Sequence, residues 1–252
     1  MKNFLLLVFL ALSQITVLAQ PYNISDEFIS TSHERSRYFN SSSSGSLAFN
    51  DFLNRADKNK PVVIHSHGCG GVGGDEFSLK DLYASLDINF VMLDFIKRGD
   101  ASPCNHLGSN NSNYKDDSMK YISDLKYRIP ARVKELEHHV KLMRKNGFQT
   151  IFVTGHSEGG MVVQRLSEKV NGVIVHSMTC LPTSFDTSFN RYLHLVSIND
   201  PLLTKTSGRQ FGCTEKSNYT VVQSEVKSHA ALADPLWKDQ IKIFITNHIA
   251  SK

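Results

Sequence analysis

The run Gly155-His156-Ser157-Glu158-Gly159-Gly160 follows directly on the apolar stretch Thr150-Ile151-Phe152-Val153-Thr154. A strand that ends in G-x-S-x-G and turns at once into a helix lifts the serine hydroxyl above the sheet on a sharp, strained turn. Ser157 is thereby a candidate nucleophile. A serine hydroxyl is weak at neutral pH, so it needs a base within hydrogen-bond reach and a third group to orient that base. On such an elbow the partners follow in the order serine, acid, histidine, each in a loop at the carboxyl end of a later strand. Asp200, in the turn Asn199-Asp200-Pro201, and His229, in Lys227-Ser228-His229-Ala230, meet that order. His194 falls inside a strand and His248 near the end of the last helix, while His156 sits beside the serine and cannot turn back for its proton. Asp94 and Asp186 are rival acids; Asp94 precedes the serine and could instead brace the loops.

Attack on a carbonyl creates a negative oxygen that needs N–H donors set in place beforehand. Glu158, the residue after the serine, supplies one. The second belongs to a glycine-rich turn after an earlier strand, and His67-Gly68-Cys69-Gly70-Gly71 is that turn, with Cys69 the first candidate donor and Gly70 the next. The pair His65-x-His67 has a spacing that binds metal elsewhere, but no matching acidic and histidine cluster accompanies it, so no metal is expected. Arg98 and Asp186, with the Glu158 side chain, are candidates to face the substrate, Arg98 either as the partner of a substrate carboxylate or as a solvated surface arginine.

These groups need strands and helices to carry them. Short apolar runs at 61–66, 89–95, 150–154, 172–177, 192–198 and 220–223 read as strands. Helical patterns fall between them at 76–86, 117–146, 157–169 and 235–249, the second broken at Ile129-Pro130 because proline suits a first turn better than a helix interior, the last amphipathic with Trp237, Ile241, Phe244, Ile245 and Ile249 as its apolar face. In that segment Val133, Leu136, Val140 and Met143 share one face. Lys134, Glu135, His138 and Lys141 lie on the other, and His138-His139 reads as solvated surface. Strands alternating with helices imply an α/β domain with a mostly parallel sheet covered on both faces. The short interval between the strands at 172–177 and 192–198 leaves no large lid.

The 252-residue chain opens with Lys2, an apolar run from Phe4 to Leu12 and Val17-Leu18-Ala19, the layout of a signal peptide cleaved after Ala19. Residues 1–19 are therefore assigned to export, 20–58 to a polar lead-in containing Ser41-Ser42-Ser43-Ser44-Gly45, and 59–252 to the folded domain. That places the protein outside the cell or in a periplasm, with no stable membrane insertion. A formal charge of +4, without a dense basic block, speaks against nucleic acid as a partner. Asn23, Asn40, Asn110 and Asn218 begin N-x-Ser/Thr sequons, relevant only on a eukaryotic secretory route. Four cysteines in an oxidising compartment favour disulfides. Of the three pairings, Cys69 with Cys104 and Cys180 with Cys213 each join loops that follow successive strands.

Pro61-Val62-Val63-Ile64-His65-Ser66-His67-Gly68-Cys69-Gly70-Gly71, the elbow at Ser157, the Asp200 turn and His229 together resemble the dienelactone hydrolase-like branch of the α/β-hydrolase superfamily, in an exported form. The resemblance covers most of residues 60 to 250. It implies an eight-stranded or slightly reduced sheet, a triad of Ser157, Asp200 and His229, no cofactor, and cleavage of a small-molecule carboxylic ester through an acyl-enzyme. Serine stands where the founding dienelactone hydrolases carry a cysteine nucleophile. A peptidase or acyltransferase would use the same triad. A non-catalytic binding protein on this fold would be marked by the loss of a triad member, and none is missing.

Overall fold

The computed structural model describes residues 30–42, 45–95, 114–178, 190–201 and 218–249, with backbone alone at 74–75 and 114–127. Residues 1–19, read above as a signal peptide, and Arg98, Cys104, Cys180, Asp186 and Cys213 lie outside the described residues. Seven strands form one sheet: β1 (Arg37–Phe39), β2 (Val62–Ser66), β3 (Asn89–Leu93), β4 (Ile151–His156), β5 (Gly172–His176), β6 (Tyr192–Ser197) and β7 (Tyr219–Ser224), in the order β1-β3-β2-β4-β5-β6-β7. Only β1 runs antiparallel to its neighbour; the other five pairings are parallel. Every parallel strand therefore ends on the same edge.

Side chains of a strand alternate between faces, and the apolar residues here divide accordingly into two layers. Val62, Ile64, Val91, Leu93, Ile151, Val153, Val173 and Val175 face one layer, where they meet Phe52 of α2 (Phe49–Arg55), Leu136, Val140 and Met143 of α4 (Tyr114–Lys145), and Val162 and Val163 of α5 (Glu158–Val163). Val63, Phe90, Met92, Phe152, Ile174, Leu193 and Leu195 face the other, against Leu79 and Tyr83 of α3 (Gly74–Ser85) and Trp237, Ile241, Phe244 and Ile245 of α6 (Pro235–Ile249). Each such aliphatic or aromatic side chain contributes about 1.5–3 kcal/mol on full burial. The result is one α/β domain. Between His176 and Tyr192 only residues 177–191 intervene, too few for a separate lid domain.

Four expectations need correction. Helix α4 runs unbroken through Pro130, which sits on the exposed side, so its ring disturbs no packed face. Helix α5 stops at Val163, six residues after the serine: Gln164 and Arg165 turn their side chains back to donate to the carbonyls of Gly160 and Met161, and Arg165 N–H bonds in a tighter turn to Val162 O. Ile249, placed on the apolar face of the last helix, is 37% exposed.

The fourth concerns the lead-in and the face of α4 beneath it. From residue 30 on, the lead-in is integral to the fold: α1 (Ser32–Arg35), β1 and α2 all belong to it, and Tyr38 is fully buried. These elements cover part of the side of α4 that its polar composition marked as surface, while Lys134 and Lys141 stay exposed as expected. Glu135 and His139 are consequently buried. His139 Nδ1–H donates to the Glu135 carbonyl at 3.0 Å, leaving Nε2 to accept from Tyr38 Oη at 3.2 Å, while Ser36 Oγ, 3.3 Å from Nε2, donates to the Ser32 carbonyl at 3.0 Å. Burial pushes the His139 imidazole down to about 3 and the Glu135 carboxyl up to about 7.

Candidate active site

The common edge of the parallel strands gathers the residues of interest. β2 ends one residue before the His67–Gly71 turn, β4 ends at His156, β6 ends three residues before Asp200, and β7 ends five residues before His229. At the end of β4 the chain reverses with Ser157 at φ 53° and ψ −115°. A side chain at Gly155 would place its Cβ 2.2 Å from the Gly159 carbonyl oxygen, and one at Gly159 would sit 1.9 Å from Ser66 O. Both glycines are thus demanded by backbone approaching backbone, at the reversal itself and where α5 crosses the end of β2.

Ser157 is half-buried and its Oγ lies 2.7 Å from His229 Nε2. On the other side of the ring, Nδ1 lies 2.7 Å from Oδ2 of Asp200, which is fully buried. A carboxylate only accepts, so Nδ1 carries the proton and Nε2 presents its lone pair to the serine O–H. The arrangement can take a proton from Ser157 and hold the resulting imidazolium against a carboxylate.

The loops that bear these groups are braced to each other. Ser197 Oγ donates to Val226 O, and Asn199 Nδ2 donates to Glu225 O at 2.8 Å, joining the turn of Asp200 to the segment leading into His229. His156 Nε2–H donates to the His229 carbonyl at 3.0 Å, so the residue before the serine holds the backbone of the histidine rather than the proton. Its Nδ1 faces Glu76 Oε1 at 3.4 Å. Glu76 also accepts from the Gly68 and Gly73 amides at 3.4 and 3.2 Å. Burial acts to raise this carboxyl, yet the His156 contact, neighbouring His65 and the Gly68 amide together bring it down to about 2.

The glycine-rich turn lies beside the serine: a Cβ at Gly68 would stand 3.5 Å from Ser157 Cβ. Within it, Cys69 is half-buried and Gly70 exposed, and Gly71 N–H closes the turn on Gly68 O at 3.3 Å. Cys69 is the one cysteine among the described residues and carries no free thiol. Neither member of His65-x-His67 is a surface ligand; both are fully buried, which holds their imidazoles well below the usual range, and His67 Nδ1–H donates to Gly68 O at 2.5 Å. Asp94, the rival acid, lies at the far side of the sheet, 3.9 Å from Arg37.

The Glu158 side chain does not face a substrate. It is fully buried, paired with Arg128 through Nε and Nη2 at 2.9 and 2.7 Å and with Arg132 Nη1 at 2.7 Å. Sequence reasoning missed both arginines. Their i, i+4 spacing places them on one face of α4, but the partner of that face comes from a strand-helix junction 26 residues later. Glu76 and the bracing role of His156 were also missed, since the groups they contact belong to three separate loops.

No family model matches the sequence, nor does any curated protein. Comparison with solved structures finds the same architecture in TT1662 from Thermus thermophilus (16% identity, 77% of this chain and 90% of that one, TM-score 0.52). It is also found in Est1E from Butyrivibrio proteoclasticus with ferulic acid bound (13% identity, 86% and 95%, TM-score 0.52) and in the esterase Pf2001 of Pyrococcus furiosus (13% identity, 77% and 86%, TM-score 0.50). At these identities the likeness is one of fold.

Proposed function

Given its α/β-hydrolase fold, we propose that this chain is a serine hydrolase that cleaves a small-molecule carboxylic ester through an acyl-enzyme. One observation carries the reading: Ser157 Oγ, the His229 ring and the Asp200 carboxylate form an unbroken line of two 2.7 Å contacts, with the serine on a positive-φ elbow. The esterase Pf2001 among the proteins of similar fold supports the choice of ester as substrate class.

In the proposed reaction Ser157 Oγ attacks the ester carbonyl carbon as its proton passes to His229 Nε2, and Asp200 steadies the imidazolium. The carbonyl oxygen, now negative, is held by the amides of Glu158 and Cys69, with Gly70 the alternative in the turn. Collapse expels the alcohol, which leaves with the proton from His229. Water then repeats the sequence on the acyl-enzyme and frees the acid and Ser157. Cys69 is read as a structural cysteine bonded to Cys104, tying the oxyanion turn to the loop after β3, and Cys180 as bonded to Cys213. Export with cleavage after Ala19 supplies the oxidising compartment those bonds require.

Labelling of the purified protein with a fluorophosphonate, followed by hydrolysis of esters of graded acyl length and of matched amides, tests the reading. The label is expected on Ser157, esters are expected to be cleaved well above amides, and Ser157→Ala is expected to remove both signals. Absence of labelling in a folded protein, or ester cleavage that survives Ser157→Ala, would overturn it.

A further inference from the structure

Arg132 is buried to 1% exposure and touches both segments that carry the proposed oxyanion donors. Nη1 donates to Glu158 Oε1 at 2.7 Å. Both hydrogens of Nη2 go to the end of β2, one to Ser66 Oγ at 2.9 Å and one to the His67 carbonyl at 2.5 Å. Glu158 is the residue whose amide follows the nucleophile, and the His67 carbonyl lies two residues before the Cys69 amide. Arg128, one turn earlier on α4, donates to both Glu158 oxygens, Nε to Oε1 and Nη2 to Oε2, and completes a two-arginine clamp on a single carboxylate. The two segments also meet directly, backbone on backbone, where Gly159 packs on Ser66 and His67.

From this geometry, and resting on the serine hydrolase reading, we propose that Arg132 and Glu158 are positioning residues that set the spacing of the two halves of the oxyanion hole. The chemistry of the side chains explains the choice. A guanidinium is planar and rigid, with donors on opposite branches, so one group spans an acceptor on α5 and two on β2 while keeping their separation constant. A lysine ammonium on a flexible stem satisfies one side at a time. Burial removes competing water, which makes both the contacts and the geometry they impose stiffer. Donors that stand at the right distance before the charge develops need no reorganisation when it appears, and displacement of about 1 Å costs on the order of 100-fold in rate. The pair acts through the amides and touches no substrate atom, so substrate affinity should be nearly indifferent to it.

The test compares wild type with Arg132→Lys, Glu158→Gln and the triple variant Arg128→Met/Arg132→Met/Glu158→Leu. Deleting one partner of a buried ion cluster can unfold a protein, whereas replacing all its members by apolar groups usually does not; the triple variant, which includes Arg128→Met because Arg128 would otherwise lose its carboxylate, keeps the test open if a single one fails to fold. Circular dichroism establishes folding. Kinetics on a short-chain p-nitrophenyl ester and inhibition by phenylboronic acid, whose tetrahedral serine adduct carries oxygen where the oxyanion forms, supply the readouts. Folded variants are expected to lose about 10- to 100-fold in kcat and a similar factor in boronate affinity, with KM within about 3-fold of wild type. Arg132→Lys should fall between wild type and the triple variant. Folded variants that keep kcat and boronate affinity within about 3-fold would overturn the proposal and leave the clamp a purely structural feature. A wild-type protein that takes no fluorophosphonate and cleaves no ester would overturn the hydrolase reading itself, a result separable from the first because it appears before any variant is made.

Discussion

Ser157 is held at φ 53°, in a region that a side chain with a Cβ enters at a cost of about 1–3 kcal/mol. The surrounding contacts fix it there: its N–H donates to His176 O at 2.9 Å and its carbonyl accepts from Gly160 N–H at 2.9 Å. Glycine has no such penalty, so Ser157→Gly should raise stability by about 1 kcal/mol in urea unfolding while abolishing ester cleavage. A variant that loses both would mean that the serine side chain supports the fold. At Asp200 the test is electronic. Asp200→Asn keeps the shape of the 2.7 Å contact but offers His229 a partner that favours the wrong tautomer and cannot balance an imidazolium. A drop in kcat of about 10⁴ with little change in KM is expected from steady-state kinetics.

The elbow works as an element because β2, β4 and α5 meet at van der Waals limits. Gly159→Ala would drive a methyl to within 1.9 Å of Ser66 O, backbone that cannot step aside without moving β2. Its expected outcome is failure to fold, or a folded minority whose melting temperature lies well below wild type; Gly70→Ala, where a Cβ meets nothing within 4 Å, should leave melting unchanged. Helix α4 illustrates a different element-level lesson. Its apolar stripe of Leu136, Val140 and Met143 announces one buried face at the correct period. Nothing local announces that Arg132, Glu135 and His139 are buried as well, because polar residues enter a core only when partners from elsewhere satisfy them. Those partners are Glu158, Arg35 and Tyr38 of β1.

Across the whole molecule, burial of imidazoles sets the response to acid. His139, His176 and His194 are all depressed to about 3 by burial, and His65 and His67 are also well below 6.5. Below 6.5 the unfolded chain takes up protons at these positions that the folded chain refuses, down to about 3 for His139, His176 and His194, so stability falls as pH falls, by roughly 1 kcal/mol per pH unit for each of those three. Glu135 opposes this between 4.5 and about 7, where its raised carboxyl binds a proton in the folded state first and so favours folding as pH falls. Several imidazoles outweigh one carboxyl. Chemical denaturation from pH 7 to 4 should show a steady loss of stability with net proton uptake on unfolding, and a flat profile would contradict the buried neutral histidines. The lead-in matters on the same scale. A chain started at residue 59 lacks β1 and uncovers His139, Glu135 and the edge of β3, and should unfold at markedly lower urea than one that retains residues 30–58.

Apolar periodicity, the G-x-S-x-G elbow and the order of Asp200 and His229 behind it are local or sequential properties, readable residue by residue, and they led to the α/β fold and to the three side chains that stand in line. The 2.7 Å contacts among them are set by the strand order, which brings the ends of β4, β6 and β7 to one edge although 72 residues separate Ser157 from His229. The clamp of Arg128 and Arg132 on Glu158, the brace from His156 to the His229 carbonyl, and the burial of His139 under the lead-in depend on contacts between segments 26 to 103 residues apart. Ion pairs and hydrogen bonds leave no periodic trace along a chain, because their free energy comes from partners that only folding brings within reach.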